Sequence, residues 1–362
     1  MNMSTAENSF RQATPMVSVL VPARNEEANL AACLESLVGQ NGLAFEIVVI
    51  DDHSTDRTAE VVRSFPDVML VTADPLPRGW CGKQHALYCG MRRARGEWLL
   101  FTDADTVHRP GSLARALDEA EESGVALLSY SPEQEVRTVW ERAIMPVVFA
   151  ELACTYKPSE VCDPASPAAA ANGQYLLIRR DLYDQIGGHS AFRDTLLEDV
   201  AMAKAAKLAG GRIRFRFGGD AVSTRMYRRL GALWEGWTKN LALLFPHAGR
   251  LAMVRAVEFT AISGAAIVAV FATGSGRRGM AMVGAGVGAA VYANFVRRIA
   301  RAHFGWPANL LAIFGLPFFS LLLLRSAIYY GSGRSVSWRG REYRFHAAEG
   351  HESEAVISGT GK

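Results

Sequence analysis

The chain is 362 residues long, room for two domains or for one large domain with additions. Its 39 Lys and Arg nearly cancel its 36 Asp and Glu, leaving a formal charge of +3, so bulk charge makes no case for a nucleic-acid partner and none is expected. The five cysteines (Cys33, Cys81, Cys89, Cys154, Cys162) are odd in number and lack Cys-x-x-Cys spacing, which argues against a disulfide framework and fits a reducing compartment.

Residues 1–15 are polar, without the charged-then-apolar pattern of a secretory signal, and are expected to be a disordered tail ahead of a cytoplasmic domain. From there strands and helices alternate. Val17-Ser-Val-Leu-Val21 reads as a strand stopped by Pro22, and Leu30, Ala31, Leu34, Leu37 and Val38 recur at helical spacing. Phe45–Ile50 is the second strand; Ser54, Thr55 and Asp56 offer caps to a helix through Val61, Val62 and Phe65. Val68–Val71 is the third strand, Leu87 to Ala94 the next helix and Trp98–Thr102 the fourth strand. This alternation predicts βαβ units and a mainly parallel sheet with helices on both faces, in the α/β class. No Gly-x-Gly-x-x-Gly follows the first strand, which disfavours a dinucleotide fold. Beyond 131 the pattern loosens: a Pro/Ala-rich loop at 163–171, a strand at 175–178, and helices at 196–209 and 230–245.

Three strand ends deliver polar groups: Arg24, Asn25 and Glu26; Asp51 and Asp52; Asp103 and Asp105. In open α/β sheets ligands bind beyond the carboxyl ends of the strands. Alternation in an extended chain would turn Asp103 and Asp105 the same way, giving two hard oxygen ligands for Mg2+ or Mn2+; magnesium is usually held by one or two carboxylates and completed by substrate phosphates. A surface turn is the plainer use of an isolated Asp-x-Asp. In Gly79-Trp-Cys-Gly-Lys-Gln-His-Ala-Leu87, glycines flank Lys83 at the opening of a helix, where free N–H groups favour anions; a solvated lysine is the alternative, and Trp80 could stack on a ligand or simply pack.

Val21-Pro-Ala-Arg-Asn-Glu-Glu27, Val49-Ile-Asp-Asp-His-Ser-Thr-Asp-Arg-Thr58 and Asp103-Ala-Asp105 resemble the signature blocks of the family 2 glycosyltransferases, over roughly residues 16–245. The resemblance implies the GT-A fold and a nucleotide-sugar donor. Pro22, Arg24 and Glu26 would line its base and ribose, Asp52 would hydrogen-bond the base, and Asp51 would either join it or cap the turn. By the same resemblance Asp105 would hold a divalent cation, Asp103 would face ribose or metal, and Lys83 would contact the nucleotide. Leu196-Leu-Glu-Asp-Val200 resembles the family's Glu-Asp motif, which makes Asp199 the general base and leaves Glu198 to orient the acceptor; capping the following helix is the competing use of Asp199. Where processive relatives have Gln-x-x-Arg-Trp this chain matches only Trp237, with Gly236 in place of Arg, which argues against a processive synthase. Trp234 and Trp237 would meet the acceptor, and Lys239 or Arg225 would steady the departing diphosphate. The Gly-Trp-x-Gly-Lys, Asn-Gly-Gln-Tyr-Leu-Leu-Ile-Arg-Arg (172–180), Trp-x-Gly-Trp-x-Lys-Asn and Trp-x-Gly-Arg-x-Tyr (338–343) blocks are most similar to glycosyltransferases of bacterial carotenoid and hopanoid pathways. His189, after Gly187-Gly188, reads as a turn histidine or a substrate or metal contact.

Residues 259–276, 279–296 and 304–324 carry no Asp, Glu, Lys or Arg, each about long enough to span a bilayer. Basic flanks such as Arg250, Arg255, Arg297, Arg298, Arg301 and Arg325 favour the cytoplasmic side. Three crossings would place the Arg-rich C-terminus outside; two crossings with a re-entrant or interfacial segment would keep both ends inside. The expected plan is a tail (1–15), a GT-A domain (16–250), membrane-embedded helices (251–330) and a basic, partly disordered tail (331–362). The expected activity is a metal-dependent, inverting transfer of a sugar, UDP-linked by preference, to a lipid acceptor at the inner membrane. Transfer to a polyprenyl phosphate, non-catalytic nucleotide-sugar binding and nucleotidyl transfer are the alternatives.

Overall fold

The computed structural model describes residues 15–332 and, beyond them, the backbone of three short strands at 336–338, 341–345 and 355–357. The expected N-terminal tail, most of the C-terminal tail and part of the 338–343 block therefore lie outside the described residues. The chain forms two compact units, one of residues up to 133 with 158–224, the other of 134–157 with 225 onward.

The first unit opens with β1 (Val17–Ala23), α1 (Leu30–Val38), β2 (Phe45–Asp51), α2 (Thr58–Arg63), β3 (Val68–Thr72) and α3 (Gly82–Met91). There follow β4 (Trp98–Phe101), β5 (Thr106–His108), α4 (Ser112–Glu122), β6 (Leu127–Ser131) and a two-residue strand, β7 (Glu133–Gln134). After α5 (Val139–Thr155), which belongs to the second unit, come α6 (Pro158–Val161), β8 (Leu176–Arg179), α7 (Arg180–Gln185), α8 (Gly188–Ala191), α9 (Glu198–Leu208), β9 (Ile213–Phe217) and β10 (Val222–Thr224).

Seven strands form one sheet in the order β3-β2-β1-β4-β8-β6-β9, with β8 alone running antiparallel to its neighbours. The central strands are apolar almost throughout because both of their faces are covered. Val19, Val21 and Val49 pack with Leu30 and Leu34 of α1 and Leu113 and Leu117 of α4. On the opposite face α3 comes so close that a Cβ at Gly90 would lie 2.5 Å from Ile50 Cγ1 and 3.3 Å from Leu20 Cδ2. This is the mixed, mainly parallel sheet with helices on both faces that the sequence predicts.

Pro22 does not stop the first strand. β1 continues to Ala23, with Pro22 opposite Ile50. The Ala23 carbonyl accepts from Asp52 N on the β2 side, whereas the Leu20 carbonyl accepts from Thr102 N on the β4 side. Alternation aims the Pro22 nitrogen toward β4, whose pairing has already ended at Leu20↔Phe101, so no ladder bond is lost.

The second unit is helical: α5, α10 (Leu230–Leu244), α11 (Ala248–Gly274), α12 (Arg278–Ile299), a 3-10 turn at Ala300–Ala302, and α13 (Trp306–Gly331). Helices α5 and α10 group with the C-terminal helices because Ile144, Val147, Leu233 and Trp237 share one core with Leu316 and Phe319; the division thus runs differently from the expected boundary at 250. Three helices, 248–274, 278–302 and 306–331, are long and apolar enough to cross a membrane. Pro317 lies inside α13 without ending it. Helix α13 meets α5 at Gly315, where an added Cβ would overlap the Ala143 carbonyl oxygen.

That close approach makes a paired prediction. Gly315→Ala forces backbone apart and is expected to destabilise the detergent-solubilised protein by about 1–3 kcal/mol, the usual cost of overpacking, read as a fall in Tm. Gly331→Ala, at a site with nothing within 4 Å of the added Cβ, is expected to leave Tm unchanged.

Candidate active site

Parallel pairing of β2, β1 and β4 places their carboxyl ends on one edge of the sheet. Two loops leave that edge and fasten to each other. Arg24 Nη1 donates to the Asp52 carbonyl at 2.7 Å and lies 3.9 Å from the Asp52 carboxylate. Asn25 N donates to Ser54 Oγ, Thr55 N to Asn25 Oδ1, and Glu26 N to Thr58 Oγ1 at 2.8 Å. Asn25 and His53 adopt the left-handed region, φ 55° and 56°, which turns both loops sharply at the strand ends. Glu26, Asp51 and Asp52 are all buried here. Asp51 caps its own turn, accepting from Ser54 N at 3.2 Å, while the Glu26 carboxylate accepts from Asn29 Nδ2.

Asp103 and Asp105 do not continue an extended strand. β4 ends at Phe101, and Thr106 closes a turn by donating both its N–H (3.3 Å) and its hydroxyl (2.7 Å) to the Asp103 carbonyl. Strand alternation therefore does not set the direction of these two carboxylates; the turn between β4 and β5 does. Both side chains are half-buried.

The centre of the site is an ion cluster. Lys83, in the first turn of α3, sits 2.9 Å from Asp103 Oδ1 and 3.0 Å from Glu198 Oε1. Glu198 opens α9 and also accepts from Gln84 Nε2 at 3.2 Å; Gln84 in turn donates to the Thr195 carbonyl at 2.6 Å. Asp199 is half-buried and held by two backbone donors, Gly173 N to Oδ2 at 2.9 Å and its neighbour Val200 N to Oδ1 at 2.8 Å. Burial works against the charge on Lys83, and Asp103 and Glu198 outweigh it, holding the ammonium protonated well above the usual lysine range. Burial and the nearby Glu198 charge push the Asp199 carboxyl up to about 6, against the pull of Lys83 and of the two N–H donors.

One residue of this site, Gly173, figures in the sequence only as part of the 172–180 block. Gly173 lies in the stretch before β8, and a Cβ there would come within 2.8 Å of Lys83 Nζ and 3.6 Å of Asp199 Oδ2. Nothing but the run Asn172-Gly173-Gln174 hints at it. His189 is buried at the back of the cleft that Lys83, Gly173, Glu198 and Asp199 line, its Nδ1 2.8 Å from Tyr183 Oη and its ring edge-on to Phe101. Burial, with the Lys83 charge nearby, drops its imidazole to about 3, so it is neutral. Trp80, just ahead of α3, packs on that helix, 5.4 Å from His85 and 5.0 Å from Tyr88 between ring centroids.

The remaining expected residues lie in the second unit. Trp237 is 2% exposed, with Phe149 and Tyr227 edge-on to its ring, so it is a core side chain and not a surface for an acceptor. Gly236 is required by that packing, since a Cβ there would overlap the Tyr227 hydroxyl. Arg225 is engaged by Glu141 through Nε (3.0 Å) and Nη2 (3.2 Å). Trp234 and Lys239 are half-buried on α10, with Arg325 5.9 Å above the Trp234 ring.

Residues 18–200, half of the chain, match the model of the glycosyl transferase family 2. The chain belongs to the family 2 glycosyltransferases. Its sheet is the one expected of their GT-A fold. Among curated relatives, 4,4'-diaponeurosporenoate glycosyltransferase of Staphylococcus aureus is 29% identical over 234 residues, which cover 62% of this chain and 60% of that protein. The likeness thus spans less than two thirds of the relative's length. Among solved structures, a mannosyltransferase from Pyrobaculum calidifontis in complex with GDP-Man and Mn2+ aligns with a TM-score of 0.48 and 20% identity, over 88% of this chain and 87% of its own. Glucosyl-3-phosphoglycerate synthase from Mycobacterium tuberculosis aligns with a TM-score of 0.41 and 20% identity, over 64% and 78%.

Two measurements follow from the cluster. Gly173→Ala displaces the Lys83 ammonium, and kcat/KM is expected to fall tenfold or more while Tm moves little, because the displaced atom is the end of a flexible chain. In the wild type, a role for Asp199 as base predicts an acid limb in kcat/KM with a midpoint near 6, activity falling as pH drops through it. The linkage to folding has the opposite sense. A carboxyl raised from 3.8 to about 6 binds its proton more tightly when folded, so its contribution to stability declines as pH rises from 3.8 to 6.

Proposed function

We propose that this protein is a membrane-associated, inverting glycosyltransferase that moves a sugar from a nucleotide donor, UDP-linked by preference, to a lipid such as a carotenoid or hopanoid. The observation that carries the reading is the cluster of Lys83, Asp103, Glu198 and Asp199, with Asp199 half-exposed and fixed by two N–H donors. The staphylococcal relative, named for a carotenoid acid, supports a carotenoid-like acceptor.

Among the described residues no three His, Cys, Asp or Glu are grouped to hold a metal by themselves. The donor set nevertheless fits a divalent ion that takes its other ligands from phosphate: Asp103 and Asp105 are half-exposed carboxylates on one turn, and Asp103 already faces a cation in Lys83. Asp105 with Asp103 would hold Mg2+ or Mn2+, whose charge offsets that of the leaving diphosphate. Pro22, Arg24, Glu26, Asp51 and Asp52, on the loops at the ends of β1 and β2, would bind the nucleoside, and Lys83 the diphosphate.

Transfer is a single displacement. The acceptor oxygen bonds to the anomeric carbon as the bond from that carbon to the phosphate oxygen breaks, and its electron pair leaves with the nucleoside diphosphate. Asp199 takes the acceptor proton, while Glu198 keeps Lys83 in place through their 3.0 Å contact. A carboxyl raised to about 6 is a stronger base than an ordinary aspartate, which suits a neutral hydroxyl acceptor. A phosphate or ionised carboxylate needs no such base. The three long apolar helices support a membrane location, and the excess of arginine beside them favours the cytoplasmic face. Trp234 and Lys239 are the α10 side chains best suited to a lipid acceptor.

The test uses membranes containing the full chain, labelled nucleotide sugars, and mass spectrometry of the extracted lipids. A glycosylated lipid is expected, lost on chelation of divalent cations and restored by Mn2+ or Mg2+. Asp199→Asn should lower transfer to a hydroxyl by about 10²–10⁴ and transfer to an anionic acceptor far less. Tight cation-dependent nucleotide binding without transfer from any donor would instead indicate a binding protein, and pyrophosphate release a nucleotidyltransferase.

A further inference from the structure

The three long apolar helices differ both in composition, α11 and α12 being rich in Gly and Ala and α13 in Leu and Phe, and in surroundings. Of the most apolar 18-residue stretch in each, 11% is buried in α11, 11% in α12 and 44% in α13. The core of the second unit takes only the start of α11 (Ala248, Ala252, with Phe259 and Ile262 against it) and the end of α12 (Phe295, Ile299). Between those points the two helices pack on each other through small residues: a Cβ at Gly284 would lie 3.2 Å from Val268 Cγ1, and one at Gly288 3.0 Å from Ala265 Cβ. Such contacts suit helices associating in lipid, where apolar bulk gives no drive to pair. Their outer faces expose Ile267, Val270, Phe271, Met282 and Val283.

Charge marks both ends of this hairpin. At its neck Arg255 and Glu258 of α11, Arg298 of α12 and Glu151 of α5 close a network of two cations and two anions, with Arg255–Glu151 2.9 Å, Arg255–Glu258 2.9 Å, Arg298–Glu151 2.8 Å and Arg298–Glu258 2.6 Å. Each side chain is at most 15% exposed, so loss of any one strands a buried charge. Arg277 and Arg278 stand at the tip. The uncharged helical stretches between, 259–274 and 279–296, rise about 24 and about 27 Å at 1.5 Å per residue, near the roughly 30 Å of a bilayer's hydrocarbon core.

Helix α13 packs on the base of α11, where Ala248 and Ala252 share a core with Leu316 and Phe319, and on α5 and α10. Ser326 Oγ donates to the Thr238 carbonyl (2.7 Å) and accepts from Ala242 N (2.8 Å), and Tyr330 donates to the Lys239 carbonyl (2.6 Å). Phe319 packs 6.2 Å from Phe245, so α13 runs back along α10, and its middle rests on α5 at Gly315. Those partners carry Glu141, Arg142, Glu235 and Lys239, which have no place in hydrocarbon. The face of α13 left uncovered is an apolar stripe of Trp306, Leu310, Phe314, Phe318, Leu321 and Ile328.

We propose that α11 and α12 alone cross the bilayer, their outer faces among acyl chains, and that α13 lies in the membrane surface with its apolar stripe turned into the interface. Ser332 then returns to the side from which α11 departs. Five arginines at the neck (Arg250, Arg255, Arg297, Arg298, Arg301) against two at the tip make that side cytoplasmic. This rests on the membrane location proposed above and narrows three candidate spans to two crossings.

The experiment places single cysteines at exposed positions of the full chain, Gly249→Cys, Ser275→Cys or Ser332→Cys, in a background carrying Cys154→Ser and Cys162→Ser, the other three cysteines being buried. Each is treated with a membrane-impermeant maleimide in right-side-out and inverted vesicles, with detergent-solubilised monodispersity as the folding control. Positions 249 and 332 are expected to label from one face and 275 from the other, with at least a tenfold preference. Labelling of 332 together with 275, opposite 249, would show α13 crossing and overturn the proposal. Labelling of all three from one face would overturn it together with the membrane location. The readout needs no transfer activity, so an inactive protein with the expected pattern fails only the catalytic reading.

Discussion

One ammonium among three carboxylates organises the catalytic half of this molecule. Lys83 joins the turn after β4, through Asp103, to the start of α9, through Glu198, and it comes from the first turn of α3. Three segments far apart in the chain therefore meet at a single nitrogen. With Asp199 beside it the cluster has three potential negative charges and one positive, an imbalance that burial makes costly. Part of that cost is relieved by letting Asp199 hold its proton up to about pH 6. The perturbation thus has a geometric origin, and it falls on the side chain proposed as the base.

The supporting contacts are arranged to keep this cluster in place without closing it. Gly173 gives Asp199 a backbone donor and leaves room for the Lys83 head that any side chain would occupy. Gln84 ties Glu198 to the Thr195 carbonyl. Along the same sheet edge, Arg24, Asn25 and Glu26 are hydrogen-bonded to the segment from Asp52 to Thr58, which fastens the loops at the ends of β1 and β2 to each other. In the second unit the equivalent role falls to the four-residue ion network between α5, α11 and α12, which fixes where the hairpin leaves its core.

Much of this was legible in the amino-acid order, because strand ends in a parallel sheet gather polar residues by topology alone. The alternating apolar segments from 17 to 130 correctly predict the mainly parallel sheet, and the acids that close β2 and follow β4 lie at the one edge where those strands end. Local rules failed where tertiary pairing decides. Pro22 reads as a strand breaker but sits where no partner needs its nitrogen. Asp103 and Asp105 read as alternate residues of a strand but lie in a turn closed by Thr106. Trp237 reads as an acceptor contact and is a core side chain, because aromatic residues at helical spacing do not declare which face is covered. Gly173 is marked only by the run in which it lies, since its value is the space it leaves. In the last third, three apolar runs differ in what packs against them, which length and absence of charge do not encode.

The central claim is that the donor diphosphate, its cation and the acceptor base share the cleft around Lys83. A structure of the protein bound to a nucleotide sugar and Mn2+ tests it most directly. The diphosphate is expected against Lys83, the ion on Asp105 and Asp103, and the anomeric carbon facing the Asp199 carboxylate. A nucleotide sugar seated away from Lys83, or with Asp199 turned from the anomeric carbon, would contradict it.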